Sequence, residues 1–279
     1  MKQAPPPLQA LEPVSFGAPQ FRLGVVCALH EELSGIVSRL EPHVKALGGR
    51  EFWQASWHGV QVVAVLSRIG KVAAATTVST LIHHFGVTHV VFSGVAGALG
   101  AHVKVGDVVV ADAFVQHDMD ASPLFPRFEV PLYGQTFFPC DAALSALLLS
   151  SAKRCLPQIG QHLHESGLLE QLGVSHKDWV VHHGLMASGD QFIGQDAQRH
   201  GILSALPHVL AVEMEGAAVA QVCHDFGLPF AAVRIISDQA DDQAHMDFSQ
   251  FIAHVAAPYG AAVVESLVQA LAGSGPADA

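Results

Sequence analysis

Positive charge is scarce in this chain. Its 279 residues carry 14 Lys+Arg against 25 Asp+Glu, a formal net charge of -11, and the basic residues are scattered rather than gathered into a patch. Such a surface repels phosphate-rich polymers, so no nucleic acid partner is expected. Cysteine is also sparse: Cys27, Cys140, Cys155 and Cys223 stand inside apolar runs with no C-x-x-C spacing. That argues against a disulfide framework or a zinc site and for reduced core thiols, which makes the cytoplasm the expected location. No apolar stretch of signal-peptide or membrane-span length opens the chain, and no membrane is expected as a partner. Residues 1–20, with three consecutive prolines, read as a mobile tail, as does the terminal GSGPADA, residues 273–279. Neither G-x-G-x-x-G nor a P-loop occurs, so a dinucleotide or NTP cofactor is poorly supported.

What the chain does have is apolar residues: 50% are hydrophobic, enough for a sizeable core. Apolar runs of strand length alternate with helical patterns from end to end, without an internal repeat or a linker. This predicts one domain over residues 21–272, a three-layer α/β/α arrangement around a central mixed, largely parallel sheet.

In order, residues 21–29 (FRLGVVCAL) form a strand that turns sharply into a helix beginning His30-Glu31-Glu32. Acidic residues in a first turn favour the helix dipole, so Glu31 and Glu32 are either helix-start chemistry or groups facing a cleft. Residues 51–57 and 60–68 flank His58-Gly59 as a hairpin. A small-residue helix follows Ile69-Gly70-Lys71, and the strand at 88–94 opens into the glycine-rich turn Gly94-Val95-Ala96-Gly97, either structural or ligand-binding. After a strand over 108–117, residues 118–140 are rich in proline and aromatics and cannot be regular helix or central strand; they read as a lid or a partner surface. Residues 141–156 read as a helix, 157–177 as polar and weakly patterned, 179–187 as a strand, and about 248–271 as a last amphipathic helix.

Charge concentrates in residues 209–238, where a strand meets Glu213-Met214-Glu215, a helix follows, and a second strand ends in Arg234 and Asp238. Buried charges need partners, and ligands of α/β sheets bind at the carboxyl ends of strands. If the second strand is regular, Arg234 and Asp238 share a face about 13 Å apart, roughly a nucleoside's length, with Ser237 turned away or bonded to backbone. Several carboxylates and one cation suit a neutral, hydroxyl-rich ligand better than a phosphate. Asp241, Asp242, His245 and Asp247 have metal-ligand chemistry but sit in a polar turn that reads as a solvated loop, and no metal or other cofactor is expected.

The run AVEMEGAAVAQVCHDFGLPFAAVRIISD resembles that of the 5′-methylthioadenosine/S-adenosylhomocysteine nucleosidases, of the nucleoside phosphorylase superfamily. GVVCALHEE, IGKVAAA, GVAG, KVGD and SGDQFI match in the same order, over about residues 22–272. The resemblance implies hydrolysis of the N-glycosidic bond between adenine and a 5′-thio-substituted ribose, with a purine nucleoside as partner and a homodimer as assembly. It implies that Asp238 protonates adenine N7, that Glu32 deprotonates the attacking water, and that Arg234 orients that water or its carboxylate. Glu215 would hold the ribose hydroxyls with Met214 against the sugar; Phe192 would stack on adenine, with the Ile193 backbone reading its edge. Ile69 and Phe248 would be apolar walls, and Ala28, Ser237, Val95 and Leu124 further pocket residues. Each has a plainer reading: Met214 and Ile69 as core, Phe248 as anchor of the last helix, Asp238 as a turn cap, Arg234 as ion-pair partner of Glu213 or Glu215. Val95 stands where many relatives have serine, and Leu124 replaces an aromatic at the 5′ end, so substrate preference is the open question. The rivals are a phosphate-dependent purine nucleoside phosphorylase and a hydrolase for a related nucleoside such as futalosine.

Overall fold

The computed structural model describes residues 21–171, 179–241 and 248–274. The N-terminal tail expectation and the loop residues Asp242, His245 and Asp247 lie outside the described residues. So does the side chain of Phe248. Strands β1 (Arg22–Cys27), β2 (His43–Leu47), β3 (Arg50–Trp57), β4 (Val60–Leu66) and β5 (His89–Ala98) occupy the first part of the chain. They are followed by β6 (Val108–Gln116), β7 (Phe137–Pro139), β8 (Val181–Ser188), β9 (Ala211–Glu213) and β10 (Phe230–Asp238). The helices are α1 (His30–Val37), α2 (Lys71–Phe85), α3 (Ala142–Glu165), α4 (Leu168–Gln171), α5 (Asp196–Ala205) and α6 (Gly216–Phe226). A last rod combines α7 (Phe248–Phe251), a π-helical turn (Ile252–Ala256) and α8 (Ala257–Ser274), two residues past the expected domain end.

Alternation along the central strands builds two apolar layers. In β10, Ala231, Val233 and Ile235 join the core beneath α1, α3 and α8, whereas Phe230, Ala232 and Ile236 join the one beneath α2 and α6. Both faces are covered, which is why these strands read as continuous apolar runs. The sheet is mixed: β1 pairs in parallel with β4 and β5, and β5 with β10, while β10 and β6 run antiparallel. Because β6 also pairs β8, β8 pairs β9 and β9 pairs β5, five strands close into a ring.

Three boundaries differ from the sequence expectation. The hairpin about His58 and Gly59 is present, both at positive φ as a two-residue turn requires, but a second hairpin precedes it. There Gly48 (φ 58°) and Gly49 (φ 72°) join β2 to β3. Helix α3 does not stop before Pro157; it continues to Glu165 because Gly160 and Leu163 still bury against the core. The glycine-rich segment at 94–97 is not a turn but the last part of β5. The helix spanning Ser249–Gly273 is apolar and long enough to cross a membrane, yet 72% of its apolar window is buried inside this fold.

Candidate active site

The ends of β1, β5, β9 and β10 meet at one mouth of the sheet, and a pocket of about 150 Å³ lies there. Four carboxylates line it: Glu32, Glu213, Glu215 and Asp238. Among the described residues no lysine or arginine does.

Glu32 satisfies both of its sequence readings. One oxygen, Oε2, accepts the amides of Ala28 and Leu29, each at 3.0 Å, and so closes the first turn of α1. The other, Oε1, accepts the Val95 amide at 3.0 Å and faces Gly94. Burial raises its pKa; the three amides and the Arg234 charge oppose the rise without cancelling it. A carboxylate of this kind is a stronger base than an exposed one, and it stands beside open space.

Asp238 is set by an irregularity. The β5–β10 register shifts between Ile236 and Asp238, so the strand is not regular to its end. Arg234 and Asp238 therefore do not share a face, and Ser237 and Asp238 both reach the pocket. Ser237 Oγ donates to Asp238 Oδ2 at 2.7 Å, and the Ala240 amide donates to Oδ1 at 2.9 Å. Gly97 lies against the same carboxyl: a Cβ there would come within 2.8 Å of Oδ1.

Arg234, expected to orient the water or its carboxylate, lies behind the pocket wall. It is 1% exposed, does not line the pocket, and donates to Glu213 Oε2 at 2.7 Å while lying over the Phe92 ring. The plainer reading, an ion pair with Glu213, is the one found. Glu213 in turn accepts Ser188 Oγ and the Gly216 amide, which fastens β9 to the start of α6. Glu215, at the N-cap of α6, accepts the Gly70 amide at 2.7 Å. Burial, then the Glu213 charge, raises its pKa from the usual carboxylate range to about 8.

Ala28, Ile69, Val95, Phe192, Met214 and Ser237 line the pocket as expected. Ile69 and Phe192 stand at its rim, 56% and 43% exposed. Ile193 is next to Phe192, but its side chain is buried in a separate apolar cluster with Leu99 and Val115. Leu124 is not among the residues of this chain that line the pocket. The backbone turns at Ala121, whose carbonyl takes the Leu124 amide at 3.1 Å, and the side chain is left 84% exposed. Ala96 and Gly97, from the glycine-rich segment, also line the pocket, as does Leu29, which had no assigned role. The sequence signal for them was their place in the matched motifs.

Residues 22–269 match the model of the Phosphorylase superfamily. Among solved structures, a Streptococcus pneumoniae 5′-methylthioadenosine/S-adenosylhomocysteine nucleosidase bound to a transition-state inhibitor is 32% identical. The match covers 90% of this chain and 100% of that one, with a TM-score of 0.77. The S-adenosylhomocysteine nucleosidase of Streptococcus pyogenes is 31% identical over 92% and 99% of the two chains, with a TM-score of 0.77. A futalosine hydrolase of Helicobacter pylori is 33% identical over 90% and 98%, with a TM-score of 0.75.

Proposed function

Because this chain belongs to the phosphorylase superfamily, we propose that it hydrolyses the N-glycosidic bond of 5′-methylthioadenosine and S-adenosylhomocysteine. Adenine and the 5′-thio-substituted ribose are the products. Residues 21–272 act as one nucleosidase domain. The observation that carries this reading is a pocket lined, among the described residues, by four carboxylates and no cation, with Glu32 and Asp238 among its walls.

Glu32 takes a proton from water as its oxygen attacks the anomeric carbon. Asp238, held by Ser237 and the Ala240 amide, gives a proton to N7, so adenine leaves neutral. Glu215 grips the ribose hydroxyls, Met214 packs on the sugar, and Phe192 covers the base with the Ile193 backbone at its edge. Ala28, Ile69 and Val95 form apolar walls. Arg234 acts through Glu213, whose charge it compensates, and through its field at Glu32. A phosphate dianion finds no welcome in this arrangement. Lys71 is held by Asp118 at 2.6 Å and Arg234 is committed to Glu213, and neither lines the pocket to meet a phosphate there. The same leaving-group chemistry would serve futalosine, whose hydrolase in Helicobacter pylori matches over the same length.

The assembly we propose is a homodimer, with the segment at 121–138 as its contact. Leu124, Leu132 and Phe137 are exposed there by 84%, 90% and 47%. Cytoplasmic residence fits four free thiols, each with its pKa raised by burial. Methionine salvage is the corresponding role. The test is adenine release from methylthioadenosine, S-adenosylhomocysteine, adenosine and inosine, with and without phosphate. We expect turnover of the two thio-nucleosides in phosphate-free buffer; strict dependence on phosphate would overturn the hydrolase reading.

A further inference from the structure

A charged cluster stands just behind the pocket. Lys71, the first residue of α2, donates through Nζ to Asp118 Oδ1 at 2.6 Å and to Gln116 Oε1 at 3.1 Å, and its ammonium lies 3.9 Å from Asp190 Oδ2. Its backbone amide donates to Asp190 Oδ1 at 2.8 Å, and the Asp190 amide donates to Asp118 Oδ2 at 2.9 Å. None of these four residues lines the pocket, yet each is tied to a wall of it. Lys71 follows Ile69 and Gly70, the turn whose amide holds Glu215, and Asp190 precedes Phe192 by two positions. Gln116 Nε2 donates to Gln221 Oε1 at 2.8 Å in α6, the helix that Glu215 caps. His117 braces the same loop: its amide donates to the Ser188 carbonyl at 2.9 Å, and a side chain at Gly189 would strike its ring. Burial works against ionising Asp118, but the Lys71 ammonium and the Asp190 amide outweigh it and hold the carboxyl below its usual range. An isolated surface ion pair would fix little; this one shares its donors and acceptors with three segments, so displacing one displaces the others.

We propose that Lys71 and Asp118 are positioning residues, which hold the Phe192 rim and the Gly70–Glu215 side of the pocket in fixed relation to each other. The inference rests on the nucleosidase reading above. Charge-assisted hydrogen bonds are the stronger and shorter ones, and the 2.6 Å link between these two side chains is of that kind. The carboxylates that move protons are fastened elsewhere: Glu32 by the amides of Ala28, Leu29 and Val95, and Asp238 by Ser237 and the Ala240 amide. Breaking the link therefore loosens the grip on base and ribose while the proton transfers keep their geometry. The loss falls on KM rather than on kcat, the mark of binding common to ground state and transition state.

The test is the steady-state kinetics of adenine release from methylthioadenosine by Lys71→Met, Asp118→Asn, the double variant and Lys71→Arg. We expect KM to rise about tenfold in Lys71→Met and in Asp118→Asn, the worth of one hydrogen bond to a charged group, with kcat within about threefold of wild type. The double variant should be no worse than either single one, because both remove the same link. Lys71→Arg keeps a cation within reach of both aspartates and should recover most of the loss. A KM within about twofold of wild type in Lys71→Met would overturn the proposal. So would a kcat that falls as far as KM rises, or losses that add in the double variant, since both mark a general loosening of the fold. Should Lys71→Met fail to fold, Asp118→Asn decides by the same criteria, because it keeps the shape of the carboxyl group. Wild-type protein that needs phosphate, or cleaves neither thio-nucleoside, would instead overturn the reading the proposal rests on, and the proposal with it.

Discussion

At the residue scale the site is defined by how each carboxyl group is held. Glu32 is pinned by three amides, so Glu32→Gln keeps most of the anchoring but turns one amide NH2 toward a backbone donor. Turnover should fall about 10²–10⁴-fold, the usual worth of a general base, while circular dichroism stays native. Asp238→Asn should cost turnover on the same scale, about 10²–10⁴-fold, with methylthioadenosine still bound by calorimetry. Glu215 makes a prediction about stability. Its folded pKa is raised above its unfolded value, so its contribution is fully present below the unfolded pKa of 4.5 and is lost as pH rises toward about 8. Glu215→Gln removes that loss, since the amide oxygen can still accept from Gly70. We expect the variant to exceed wild type by on the order of 1 kcal/mol in urea unfolding at pH 8, and to lose that advantage at pH 5. An advantage that grew on acidification would contradict the raised pKa.

At the element scale the close approach of strands does the positioning. β5 passes Gly94 beneath Glu32 and Gly97 beneath Asp238, where added Cβ atoms would lie 3.0 and 2.8 Å from the carboxyl oxygens. Gly97 also faces Ala240 at 3.0 Å, so the strand has no room to yield. Gly97→Ala should therefore push Asp238 off its hydrogen bonds and reduce kcat at least about tenfold, since small misplacements of catalytic groups are costly. KM should change less, and thermal unfolding should show a single transition; an unaltered kcat would detach Gly97 from the acid. The sequence made Gly94 and Gly97 visible but misread them as a turn. Periodicity reports on one segment at a time, and the groups these glycines accommodate arrive from α1 and β10. Likewise the regular spacing of Arg234 and Asp238 was legible, and the bulge that breaks it was not, because nothing in the local residue types marks it.

At the scale of the whole molecule, alternation and apolar runs were enough to announce a layered α/β fold, and the matched motifs placed Glu32, Glu215 and Asp238 at one mouth of the sheet. The ring of β5, β10, β6, β8 and β9 was hidden, since β9 is only three residues long and its pairing is set by β8 and β5 rather than by its own pattern. That Leu124 points away from its own chain's pocket was hidden for a related reason: which surface an irregular segment presents depends on its turns. That segment leaves Leu124 and Leu132 outward while Val130 and Phe138 stay buried, an apolar face on an otherwise acidic molecule. Such a face in water is a cost that a second copy removes by covering it. If the homodimer forms there, Leu132→Asp should shift the sedimentation of micromolar protein from dimer toward monomer, because an aspartate at the centre of the contact meets its symmetry mate. The melting temperature of that monomer should stay close to that of wild type at dilutions where wild type also dissociates. A variant that sediments as wild type would move the interface elsewhere on the molecule.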